Sequence, residues 1–122
     1  MNKISAVVLN YSRPEYIKKS IIPALKEIPE IDQLIVSHGK DDVKFCIPDS
    51  DNLSIRYLNH WGEYNKNFGL TLRFLSALEA KNDKILIIDD DIIPDKKTIS
   101  FLDEKISEDE NNIYGLYGRL LD

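Results

Sequence analysis

The chain has 122 residues, with 21 acidic against 16 basic side chains and a net charge of −5, and its pI lies near 5.0. That length holds a single domain, 1–122, with a real core but little room for two substrate-binding halves. The acidic balance, with no Lys/Arg stripe to neutralise a phosphate backbone, argues against a nucleic-acid binder. The lone cysteine, Cys46, excludes an internal disulfide framework and fits a reducing compartment, where it reads as a small, half-buried, inert residue.

The apolar stretch from Ala6 to Leu9 is too short for a signal-peptide core or a membrane span, which leads to the expectation of a soluble, cytoplasmic protein without a transmembrane segment. Ile4 to Leu9 reads as a buried strand, an unbroken apolar run of the kind found in parallel sheets. Ser12 is placed to cap a helix with Pro14 in its first turn and Glu15 three residues after the cap, and Tyr16, Ile17, Ile21 and Leu25 follow at helical spacing. Pro23 should kink that helix or end its first half. Leu34-Ile35-Val36 is a second strand, closed by the polar loop Ser37-His38-Gly39-Lys40-Asp41-Asp42. Leu53 to Leu58 is a third, with Ile55 and Tyr57 on one face.

Asn59 to Gly69, rich in asparagine and holding His60, Trp61 and Tyr64, reads as a long irregular loop of the functional or mobile kind. A helix follows through Leu70, Leu72, Phe74, Leu75, Leu78 and Ala80, with Phe74 and Leu78 on one side and Arg73 on another. Ile85 to Ile88 is a fourth strand, Thr98, Ile99, Leu102 and Ile106 mark a last amphipathic helix, and Ile113 to Leu121 is a candidate fifth strand.

Strands alternating with helices predict an α/β layer architecture with a mainly parallel sheet and right-handed crossovers. Open sheets of that type bind ligands outside the carboxyl ends of their strands. Those ends carry Asn10 to Arg13, Ser37 to Asp42, the segment after Leu58, and Asp89-Asp90-Asp91. The last is the strongest chemical statement in the chain: three adjacent carboxylates repel one another and cost stability unless a cation or strong hydrogen-bond donors sit among them. A divalent metal answers that need, and hard oxygen ligands suit Mg²⁺ or Mn²⁺, above all where the ion also holds substrate phosphate. The plain alternative is an acidic turn between a strand and a helix.

A first strand ending in Asn10-Tyr11-Ser12-Arg13, a second ending in Ser37-His38-Gly39, an Asn-rich segment, Arg73-Phe74 on a helix, and an apolar strand ending in Asp89-Asp90-Asp91 follow one another in that order. In this the chain resembles the nucleotide-sugar-binding half of a GT-A glycosyltransferase, nearest in look to the exostosin-like branch. That branch has a Tyr-x-Arg after the first strand, an asparagine and an Arg-Phe ahead of the metal strand, and a triple-Asp form of the DxD motif. The resemblance implies a three-layer α/β/α fold with a mainly parallel, Rossmann-like sheet. It implies that Asp91 coordinates Mn²⁺ or Mg²⁺ and that Asp89 supports the metal or bonds the ribose. Arg13 would face the diphosphate or base, Arg73 the phosphates or donor sugar, and Tyr11 would stack on the base. Asn10, His38, Asn67 and Asp90 complete the implied nucleotide-sugar set, and Arg119 matches a late family arginine. Two features depart from the pattern: the Asn67 to Arg73 spacing, and His38-Gly39 where relatives often have an asparagine.

Each residue also has a structural reading: Arg13 as an exposed helix-start residue, Arg73 as polar helix face, Tyr11 as packing, Asn65 and Asn67 as turn residues at positive φ, His38 as a partner for backbone groups, Trp61 and Tyr64 as pocket wall or core cap. The expected function is a metal-dependent glycosyltransferase, or its donor-binding portion, taking a nucleoside-diphosphate sugar, foremost a UDP-sugar, and a glycan acceptor. The alternatives are a non-catalytic nucleotide-binding module or truncated transferase, and, further off, a phosphatase of the haloacid-dehalogenase type, disfavoured because Ile92-Ile93-Pro94 follows the acids where such enzymes have a nearby threonine. No residue is placed as general base. An unfinished sheet edge points to a homo-oligomer.

Overall fold

A computed structural model describes residues 3–60 and 62–115. Four strands, β1 (Ile4–Asn10), β2 (Ile31–His38), β3 (Ser54–Asn59) and β4 (Lys84–Ile88), form one sheet in the order β3-β2-β1-β4. Every pairing in it is parallel. All seven residues of β1 are buried, as its unbroken apolar run requires for a strand covered on both faces. Among the described residues β3 has a neighbour on one side only, and it is just partly buried.

Between β1 and β2 the chain is helical over residues 14–26, as α1 (Pro14–Tyr16), a π turn (Ile17–Ile21) and α2 (Ile22–Lys26). Ile22 N–H reaches back five residues to Ile17 O, and Pro23, which has no N–H to give, follows at once. The wide turn lodges the proline in a helical run that it would otherwise break. Ser12 is not the cap. Arg13 occupies that position, and no side chain caps the helix.

The segment expected to be an irregular loop is largely helical instead: α3 (Glu63–Phe68), a 3-10 turn (Gly69–Thr71), α4 (Leu72–Ser76) and a further 3-10 turn (Ala77–Glu79). Gly62 (φ +73°) and Gly69 (φ +52°) bracket α3 in the left-handed region, where a glycine has no Cβ penalty. Asn67 lies within α3, and no described non-glycine residue has positive φ, so the turn reading of the asparagines does not hold. After β4, α5 (Lys96–Glu108) starts at Asp95, whose carboxylate accepts from Thr98 N–H at 3.2 Å.

One face of the sheet, bearing Ala6, Val8, Leu34, Val36 and Ile88, packs with Ile17, Ile21, Leu25 and Ile99 from the 14–26 helix and α5. Ile55 and Tyr57 join the same cluster. Val7, Leu9 and Ile35 point to the other face and are buried, as are Leu72 and Ser76 of α4. The result is a three-layer α/β/α arrangement of Rossmann type. Phe74 and Leu78 share a side of the 72–79 helical run as expected, but it is the solvent side; Leu72 turns inward instead. No described helix is long and apolar enough to cross a membrane. Ile113 to Gly115 are not in a strand, and the rest of the candidate fifth strand, with Arg119, lies outside the described residues, as does Trp61.

Candidate functional site

β1 leads to β2 and β3 on one side and pairs with β4 on the other, so the strand order reverses between β1 and β4. A crevice opens at such a switch point because the crossovers on its two sides leave in opposite directions. Val8 pairs with Ile88 as the last β1–β4 register pair, which sets the residues after each strand side by side. These are Tyr11 to Arg13, next to the strand's last residue Asn10, and Asp89 to Asp91.

The triplet follows β4 directly, with a turn closed by Ile92 N–H to Asp89 O at 3.3 Å. Two arginines reach it. Arg13 Nη1 lies 3.1 Å from Asp90 Oδ1, across 77 residues of sequence. Arg73, on α4, places Nη1 2.6 Å from Asp89 Oδ1. Asp91 is exposed and has no hydrogen-bond or ion-pair partner among the described residues. The repulsion within the triplet is therefore relieved by guanidinium groups at two of its three members, and the third carries the uncompensated charge. Arg13 and Arg73 each stand beside one of the acids and are held by it.

No group of three or more His, Cys, Asp or Glu side chains among the described residues converges to hold a metal unaided. The donor set nonetheless fits a hard divalent ion. It is all oxygen, Asp91 has no partner among the described residues, and Mg²⁺-like ions commonly take one or two carboxylates and complete their shell with substrate phosphate and water.

Asn10 and His38 are placed differently. Asn10 is fully buried, and its Nδ2 donates to Val43 O and to His38 Nδ1, each at 2.9 Å. His38, 2% exposed, gives Nε2–H to Phe45 O at 3.1 Å. Its ring stacks on Tyr57 at 5.5 Å and meets Phe45 edge-on at 5.4 Å. This network sets the neutral Nε2–H tautomer, and burial holds the imidazole below its usual pKa, with the Phe45 carbonyl partly offsetting that. Both ring nitrogens are thus engaged within the protein, which favours the structural reading of this histidine. Two buried polar atoms at this edge have no partner among the described residues: Asn10 Oδ1 and Arg73 Nε. Tyr11 is 40% exposed, with Lys40 Nζ 4.2 Å over its ring. Asn67 is exposed on α3.

Two features were not legible in the sequence. His60 Nδ1 lies 2.8 Å from the buried Ser37 Oγ, so the segment after β3 is pinned to the end of β2. Burial lowers the pKa of His60, against a raising influence from Glu79. Separately, a cavity of about 410 Å³ is lined by His38, Lys44, Phe45, Cys46, Tyr57 and Asn59. Cys46 is exposed there, not half-buried. A second cavity, about 260 Å³, lies between β4 and α5 and is lined by Asp83, Lys84 and Tyr114 among others, away from the acid triplet.

No protein-family model matches the sequence, and comparison with curated proteins gave no significant match. Solved structures do match. A crystal structure of S. aureus TarS, residues 1–349, aligns over 98% of this chain and 38% of its own, with a TM-score of 0.61 and 19% identity. A longer S. aureus TarS structure aligns over 98% of this chain and 23% of its own, with a TM-score of 0.61 and 18% identity. TarS is a glycosyltransferase. The chain shares the α/β, Rossmann-like fold of the part of TarS it aligns with, and it spans well under half the length of these neighbours.

Proposed function

We propose that the chain is the donor-binding part of a metal-dependent glycosyltransferase, taking a nucleoside-diphosphate sugar, with UDP as the nucleotide. The observation that carries this is the meeting of Asp89, Asp90 and Asp91 with Arg13 and Arg73 at the β1–β4 switch point. Cations and carboxylates gathered in one crevice suit a ligand that is itself an anion chelated to a metal. The shared fold with TarS supports the reading. The finer kinship, to the exostosin-like branch, rests on Tyr11-Ser12-Arg13, Asn67 with Arg73-Phe74, and the acid triplet.

In this reading Asp91, with Asp89, holds Mn²⁺ or Mg²⁺. The bound ion would neutralise the diphosphate and stabilise it as leaving group. Arg13 and Arg73 grip phosphate oxygens, which suit the planar guanidinium fork. Tyr11 offers its exposed ring to the base. Transfer also needs an acceptor site and a group to take the acceptor proton, and these belong to the proposal for the whole protein.

Calorimetric titration with UDP and GDP, with and without Mn²⁺, tests the reading: UDP binding should vanish when the metal is removed. Saturable UDP binding without hydrolysis or transfer of a UDP-sugar would select the nucleotide-binding module instead.

A further inference from the structure

Arg13 and Arg73 come to the triplet from separate elements, the loop after β1 and helix α4, and each makes a single Nη1–Oδ1 contact. Neither pairing uses the bidentate fork that makes arginine–oxyanion contacts strong. At Arg73 the consequence is visible: Nε is buried and has no partner among the described residues. The present arrangement leaves that donor idle while occupying two of the three carboxylates.

We propose that the two arginines latch the site in its ligand-free state, holding Asp89 and Asp90 from a metal ion until a diphosphate gives both guanidinium groups a bidentate partner. This rests on the donor-binding reading above and adds a regulation to it. On binding, each arginine exchanges carboxylate oxygen for phosphate oxygen, and the released carboxylates, Asp89 as a ligand and Asp90 as a nearby negative charge, favour the ion that the same diphosphate carries. Metal and nucleotide then enter together, each raising the other's affinity by the same factor. Metal alone meets a site with one unengaged acid, Asp91. Both pairs are partly exposed, with Arg13 at 52% and Asp89 at 54%, so they are weak enough for a ligand to break.

The test is titration of Mn²⁺ alone into the full chain, native and with Arg13→Gln, Arg73→Gln or both. Lys96→Gln, which removes an exposed positive charge close to the triplet in sequence, is the control for general electrostatics. The latch predicts that Mn²⁺ affinity rises about three- to fivefold in each arginine variant, the upper part of the range that exposed ion pairs span, and further in the double variant. Lys96→Gln should change it by less than about twofold. Arg13 is exposed, so its variant reports even if Arg73→Gln folds poorly. No rise in a folded arginine variant, including binding undetectable throughout, overturns the latch, and so does an equal rise in Lys96→Gln. A separate titration of the native chain with UDP and Mn²⁺ judges the donor-binding reading: no binding there removes that reading, while the Mn²⁺-only series still decides the latch.

Discussion

Asn10 Nδ2 lies 2.9 Å from His38 Nδ1, joining the carboxyl ends of β1 and β2 inside the protein. The bond needs a neutral imidazole, because a protonated Nδ1 has no lone pair to accept with. Burial lowers the pKa of both histidines in the chain below the ordinary 6.5. The unfolded chain therefore takes up protons at a pH where the folded one does not. The stability concerned is present above 6.5 and is lost as pH falls from there through the folded values. The urea midpoint should hold steady from about pH 8 to 7 and fall as the pH drops below 6.5. His38→Gln should lower the midpoint at pH 8 and flatten that slope. Glu15, whose pKa is lowered by Lys18 and Lys19, acts in a different window, below 4.5. His38→Ala should cost about 2–4 kcal/mol in urea unfolding, combining a cavity with a lost partner for Asn10.

Tyr57 holds the segment after β2 in place. Its hydroxyl accepts from Ile47 N–H at 2.9 Å and donates to Ile47 O at 3.3 Å. Tyr57→Phe keeps the ring stack on His38 and removes both bonds. The expected loss is about 1–2 kcal/mol, with faster amide exchange at Ile47 than at β2. Equal exchange in both proteins would show that the hydroxyl does not hold the segment.

How much could be read from the sequence varied with the kind of signal. β1 and β4 were legible because continuous apolar runs mark strands covered by other elements, and the acid triplet was legible because three charges after such a run demand a partner. The partners themselves were not. Arg13 is separated from Asp90 by 77 residues, and only the strand order brings them together. The segment from Asn59 to Gly69, which holds α3, was read as loop because three asparagines stand in it beside His60, Trp61 and Tyr64. The structure confines the left-handed geometry to Gly62 and Gly69 and leaves the residues between them helical. On the 72–79 helical run, Phe74 and Leu78 were correctly placed together, but periodicity alone did not say which side faced the sheet.

The β4 edge depends on one lysine. Lys84 Nζ lies 2.6 Å from Asp103 Oδ1 and 2.8 Å from Ser107 Oγ, tying α5 to the start of the strand. Both charged side chains are largely covered, at 18% and 24% exposure. Lys84→Met should cost about 1–3 kcal/mol, since Asp103 is left without its cation. Asp103→Asn in the same background should cost little more. Additive losses in the double variant would mean that the two residues do not act as a pair.

The central claim is that the triplet holds a metal for a nucleoside diphosphate, and Asp91 isolates it, being exposed and unpartnered among the described residues. Its removal should shift unfolding by less than about 0.5 kcal/mol, as for surface substitutions generally. UDP titrated with and without Mn²⁺ into the native chain and Asp91→Ala is the most direct measurement. The account predicts UDP binding by the native chain only with Mn²⁺, and a loss of at least about tenfold in the variant, on the order of 1.4 kcal/mol. Metal-dependent UDP binding that is unchanged in Asp91→Ala would contradict it.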